Sequence, residues 1–219
     1  ALGAQQSASN SIQAEDVSPP RSLEHIMNKR DFLAAASIGA ALTPAQALAQ
    51  ASPKGPTLLT VTGLIGAGNR GPQNPALDQM MSKQKVSFDK AFVFDYAALQ
   101  AMPKTQIRPT VEYDGKPHSL SGPLLTDVLR AAGATSQALH VFMRAIDGYV
   151  VPLSLADAAK YRYIVATELD GKPMPLGGLG PLWAVYEADR FPDMMAKPLP
   201  ERFTFCPWGL YHIELRSSV

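Results

Sequence analysis

Beyond residue 56 the chain alternates between apolar and polar positions in short runs, and the period of each run predicts its element. Residues 57–65 are rich in β-branched side chains and interrupted by Gly63, the mark of a first strand. Residues 76–83 fit a short helix. Residues 86–94 alternate through Val86, Phe88, Ala91, Phe92 and Phe94 as an edge strand entering the core, and 96–102 form a helical turn stopped by Pro103. Residues 107–113 read as a strand, with Asp114-Gly115 as the turn after it. Ser121-Gly122-Pro123 then opens a helix whose apolar face is Leu124, Leu125, Val128 and Leu129, and Gly133 ends it. An alternating strand at 139–145 turns at Asp147-Gly148 into 149–153, a hairpin. Ser154 caps a short helix over 155–160, with Asp157 at the position where a carboxylate meets free N–H groups. Residues 161–169 predict a strand, Asp170-Gly171 a third turn, and 191–200 a proline-rich surface loop. The last strands are 202–206 and 209–215, broken at Pro207. Many short strands with two or three helices indicate an α+β domain built on mixed β-sheet with a few short helices.

The first 49 residues have another character. Residues 1–26 are polar and without apolar periodicity, a disordered upstream extension. At Met27 a short positive segment begins, followed by an apolar run from Phe32 to Leu42 and the small-x-small end Ala47-Leu48-Ala49. That is the pattern of a secretory signal peptide at 27–49, too short in its apolar part to span a bilayer. Asn28-Lys29-Arg30-Asp31-Phe32-Leu33 resembles the twin-arginine export signal with lysine for the first arginine, so folded and unfolded export routes both stay open. The expected organisation is signal peptide 27–49, linker 50–56 and one domain over 57–219, in the periplasm, with no membrane span in the mature chain.

Composition narrows the chemistry. Twenty Lys and Arg face nineteen Asp and Glu, with no block of like charge, so no basic stripe exists to hold nucleic acid. The single cysteine, Cys206, excludes an internal disulfide and a cysteine-built zinc site, and the four histidines lack ligand spacing. No G-x-S-x-G elbow is present for a serine hydrolase. Gly66-Ala67-Gly68-Asn69-Arg70-Gly71 matches G-x-G-x-x-G, yet Pro72 and Pro75 follow at once where a dinucleotide fingerprint needs a helix to open.

The stretch from Gly177 to Tyr186 is the most suggestive. It sets a glycine-rich turn, able to bring backbone N–H groups close to a ligand, before a strand carrying Trp183 and Tyr186. A flat heterocycle suits that pairing.

Gly122-Pro123-Leu124-Leu125-Thr126-Asp127-Val128-Leu129, then Asp147-Gly148-Tyr149, Asp170-Gly171-Lys172-Pro173-Met174 and Gly180-Pro181-Leu182-Trp183 resemble, in order and spacing, the sulfite oxidase-like molybdopterin-binding domain. The resemblance covers residues 57–215 and implies that fold. Catalytic members hold molybdenum through one cysteine in a Cys-x-Gly-Asn-Arg segment, whereas this chain has Val111-Glu112-Tyr113-Asp114-Gly115 at that place. It also lacks a lysine and arginine set suited to a terminal dithiolene phosphate. In size, export and the missing cysteine it is similar to periplasmic regulators that bind a reduced, tetrahydropterin-type pterin without metal and signal to membrane cyclic-di-GMP enzymes. The resemblance therefore implies a non-catalytic pterin-binding sensor. The alternative is a molybdopterin-dependent oxidoreductase whose metal takes an oxygen ligand or Cys206.

A pterin needs a stacking face and a partner for its guanidine-like edge, which a carboxylate can bond in pairs. Trp183 is the stacking candidate, and Gly178 and Gly180 offer backbone contacts. Asp147 or Glu112 supplies the carboxylate, Arg144 or Arg108 meets the ring carbonyl, and Tyr149 lines the pocket.

Overall fold

The computed structural model describes residues 53–219; the extension read at 1–26, the signal peptide read at 27–49 and the first residues of the linker read at 50–56 lie outside the described residues. In strand β1 (Thr57–Gly63), Leu59 and Val61 enter the core while Thr60 and Thr62 take the other face, also covered. The loop 66–71 opens no helix. The Asn69 side chain instead pairs with both backbone groups of Val93, at 2.7 and 3.0 Å, and Gly68 sits at φ 74 where a Cβ would strike the Ala91 carbonyl. Helix α1 is Gln79–Lys83 and strand β2 is Phe92–Asp95. Asp95 then caps α2 (Tyr96–Gln100), accepting from the Ala98 N–H at 2.7 Å while its second oxygen holds the N–H groups of Lys54 and Gly55.

Strands β3 (Lys104–Ile107) and β4 (Leu120–Pro123) form an antiparallel pair, and α3 (Leu125–Ala131) follows. The hairpin β5 (His140–Ala145) and β6 (Val150–Ser154) leads into α4 (Leu155–Lys160), with Ser154 accepting from the Asp157 N–H as its sequence position predicts. After it come β7 (Ile164–Ala166), β8 (Glu168–Leu169), β9 (Lys172–Pro173), β10 (Trp183–Val185), α5 (Pro192–Met195) and β11 (Leu210–Arg216). They make three sheets, ordered β2-β1-β11-β5-β6, β3-β4-β8-β9 and β10-β7. Among the strands of the described residues only the β1–β11 pair is parallel; this is an α+β fold of mixed sheet. One apolar core joins the sheets, with Trp183, Tyr186, Leu125 and Ile164 at its centre. Among the described residues no helix is long and apolar enough to cross a membrane.

Several predicted elements are corrected. The strand read at 107–113 lies at Lys104–Ile107, because Pro109 has no N–H to donate and the chain beyond it closes on itself through Val111 N–H to the Lys116 carbonyl. The helix start read at Ser121-Gly122-Pro123 is the strand β4. Gly122 is required there because a Cβ would lie 2.0 Å from the Val165 carbonyl, so β4 passes directly over β7. The strand read at 86–94 keeps only its end, and the one at 161–169 is split into β7 and β8 after Arg162 takes φ 54. The segment 202–206 is not a strand: a 3-10 turn at Leu199–Phe203 runs into it, and α5 occupies part of the loop read at 191–200.

Candidate functional site

A cavity of about 280 Å³ opens where three separate segments meet. The loop after β3 brings Glu112 and Tyr113, the β5–β6 turn brings Asp147 and Tyr149, and the approach to β11 brings Cys206 and Trp208.

Each wall is fixed by local chemistry. In the β5–β6 turn Gly148 adopts φ 95, and the Tyr149 N–H donates to Asp147 Oδ1 at 2.9 Å, which leaves the other carboxylate oxygen unbonded among the described residues. The Tyr149 hydroxyl donates to the Thr204 carbonyl at 2.8 Å and ties this turn to the approach to β11. The loop 109–118 is anchored by buried Val111 and by the Thr110 N–H, which donates to Asp189 at 2.7 Å. Its far end is held by His118, set between Asp170 (2.7 Å) and Asp114 (3.0 Å). Tyr113 is 57% exposed, and desolvation with the Glu112 carboxylate beside it pushes its hydroxyl up to about 12, so it stays a donor.

Cys206 forms part of the inner wall. Its thiol is buried, 3.8 Å from the Tyr163 hydroxyl, and burial drives its pKa far up, so it is a neutral SH group. A neutral thiol is a small apolar wall and not a thiolate ligand.

Of the candidates read from the sequence, Glu112, Asp147 and Tyr149 come together here. The others do not line the cavity. Trp183 is 0% exposed and packs on Phe203, its ring behind the wall and facing no solvent, because β10 pairs with β7 in the centre of the core. Gly180 is buried under the Met174 carbonyl, 2.3 Å from where a Cβ would stand, and Gly178 is exposed on the turn. Arg144 sits on the opposite face of β5 from Ala145, across from His212, with its Nε buried and unpartnered. Arg108 is exposed, and its charge acts on Asp170. Tyr113 and Trp208 were missed. Their only sequence signals were an aromatic ring before Asp114-Gly115 and another after Pro207.

The lining therefore holds two carboxylates, three accessible rings and no lysine or arginine. Arg202, next to the lining residue Phe203, is turned away to the carbonyls of Lys197 and Met195 and to Asp189. Among the described residues no group of three or more His, Cys, Asp or Glu is placed to hold a metal ion.

Residues 83–186 match the family of the oxidoreductase molybdopterin-binding domain. Among solved structures, the sulfane dehydrogenase SoxCD from Paracoccus pantotrophus is similar over 73% of this chain at 13% identity and a TM-score of 0.46; the chain spans 38% of that protein's length. No curated protein matches the sequence. The family implies molybdopterin, and the cavity does not fit it. That cofactor carries a phosphate and a metal-binding dithiolene, whereas the walls here offer carboxylates, no cation and a thiol held protonated.

Proposed function

From the match of residues 83–186 to the family of oxidoreductase molybdopterin-binding domains and from the lining of the Glu112–Asp147 cavity, we propose that the chain binds a metal-free pterin there and works as a binding or sensory module. The observation that carries this reading is the lining itself: carboxylates to accept the donor-bearing edge of the ring, and Tyr113, Tyr149 and Trp208 to supply flat faces. A pocket of about 280 Å³ has room for one bicyclic ring and little more.

In this proposal the residues bind and orient; none moves an electron. Asp147 is held by its own turn and Tyr149 by Thr204, so the two present a fixed corner to the ligand. Tyr113 and Glu112 come from a loop of their own, and ligand contact with them would steady that loop. A bound pterin changes affinity for a partner only by its differential interaction with the two states of that loop. The partner proposed is the periplasmic domain of a membrane cyclic-di-GMP enzyme, with the protein exported to meet it.

The test is to purify the protein from a pterin-producing host, unfold it, and assay the released material for pterin fluorescence and for molybdenum by elemental mass spectrometry. Pterin without stoichiometric metal supports the proposal. Pterin with one molybdenum per chain overturns it in favour of an oxidoreductase, and neither overturns the cavity as a pterin site.

A further inference from the structure

We infer that Glu112 and Asp147 make the cavity selective by charge: it accepts a planar heterocycle through an amidine- or guanidine-like edge and rejects the same ring when it carries a phosphate. This rests on the pterin reading of the site and adds to it which chemical form is taken.

The argument starts from the imbalance of the lining. Both ionisable carboxyl groups face one small cavity, and no cation lines it: Arg202 is engaged by Asp189 and two carbonyls, Arg144 lies on the other face of β5 across from His212, and Lys116, on the Glu112 loop, acts on Asp114. An amidine edge offers two parallel N–H donors, and an ionised carboxylate accepts such a pair with better geometry than any neutral acceptor can give. Asp147 is preorganised for this. One of its oxygens is fixed by the Tyr149 N–H at 2.9 Å, which orients the group without occupying the second oxygen. Tyr149 in turn is pinned through its hydroxyl to Thr204, so ring and carboxylate form one rigid corner. Tyr113, kept protonated by desolvation and then by the neighbouring Glu112 with which its hydroxyl interacts, sets a neutral hydroxyl beside that carboxylate.

A phosphate meets the opposite situation. Its doubly negative charge would enter a partly desolvated space facing two carboxylates, with no guanidinium or ammonium to neutralise it. The loss on adding a phosphate is electrostatic, so it shrinks as salt rises.

The experiment titrates the folded protein anaerobically, by quenching of its tryptophan fluorescence, with two probes: a tetrahydropterin bearing a neutral side chain, and the same ring bearing a phosphate ester. The neutral probe is expected to bind at least about tenfold more tightly at low salt, with the gap narrowing as salt is added. Glu112→Gln and Asp147→Asn keep size and, for Asn, the turn bond. Each is expected to weaken the neutral probe about tenfold, and the double variant to close the gap between probes. Equal affinity for both probes in the unmodified protein, or a gap that the double variant leaves intact with thermal stability preserved, overturns the inference while leaving the pterin site standing. Failure of both probes to bind overturns the pterin reading itself, and this inference with it.

Discussion

The indole N–H of Trp183 donates to the carbonyl of Cys206 at 2.8 Å, so the largest ring of β10 braces the inner wall of the cavity from behind. Removing it should cost stability more than affinity. Trp183→Ala leaves a large void and an unpaired carbonyl, an expected loss of about 3–5 kcal/mol in urea unfolding. Trp183→Phe keeps most of the volume and loses the donor, about 1–3 kcal/mol. The phenylalanine variant, still folded, should bind pterin within about threefold of the unmodified protein. A tenfold or greater loss of affinity in a fully folded Trp183→Phe would put the indole in the site after all.

What was legible in the sequence was what is decided locally. Ser154 with Asp157, the Asp147-Gly148 and Asp170-Gly171 turns and the Gly133 helix end all came out as read, because each needs only its neighbours to satisfy backbone groups. Asp170 and Gly171 both take positive φ, 50 and 76, in the two-residue turn between β8 and β9. Of the residues read as candidates, Glu112, Asp147 and Tyr149 line one cavity, the first chosen as a carboxylate for a ring edge and the other two standing in the Asp147-Gly148-Tyr149 stretch of the family resemblance. Trp183 was misplaced for a physical reason. A strand carrying Trp and Tyr looks the same whether its rings meet a ligand or a second layer, and here Phe203 packs on Trp183 while Tyr161, Tyr163 and Phe191 pack on Tyr186. The convergence of the 109–118 loop on the approach to β11 is set by tertiary packing across roughly ninety residues, and no local pattern encodes it.

His212 sets the response to acid. It is 2% exposed on β11, its Nε2 lies 2.9 Å from the Thr62 hydroxyl, and burial with the nearby Arg144 charge lowers its pKa to about 4. In the unfolded chain it titrates near 6.5. The unfolded state therefore takes up a proton that the folded state refuses, and stability present above pH 6.5 is lost as pH falls towards 4. The loss should reach roughly 3 kcal/mol, seen as a falling urea midpoint. His212→Gln removes the proton acceptor. Its stability should lie below that of the unmodified protein at pH 7, and the difference should shrink steadily towards pH 4; a difference constant over that range would show that His212 does not carry the acid response.

His118 works at the other end of the scale, and it reaches the site. Its ring bonds Asp170 at 2.7 Å and Asp114 at 3.0 Å, and Asp170 also accepts from the Ser119 N–H, so the imidazole fastens the loop bearing Glu112 and Tyr113 to the β8–β9 turn. The charged groups around it are those two carboxylates, with Lys116 beside Asp114 and Arg108 acting on Asp170. The bonds to Asp170 and then Asp114 raise the His118 pKa, and the same bonds lower both carboxyl groups. A raised folded pKa means the clamp is complete below the unfolded value of 6.5 and is lost as pH climbs through the folded one. The two aspartates stay ionised well into acid, so the clamp holds from mildly acidic pH up to that point. Pterin affinity should accordingly fall about two- to fivefold from pH 6 to pH 8, the size expected of an exposed ion pair. In His118→Gln, which keeps a hydrogen bond without the charge, that part of the pH dependence should vanish and the affinity at pH 6 should resemble that of the unmodified protein at pH 8. Superimposable pH profiles for the two proteins would show that the loop is held without the imidazolium and that His118 has no control over the cavity wall.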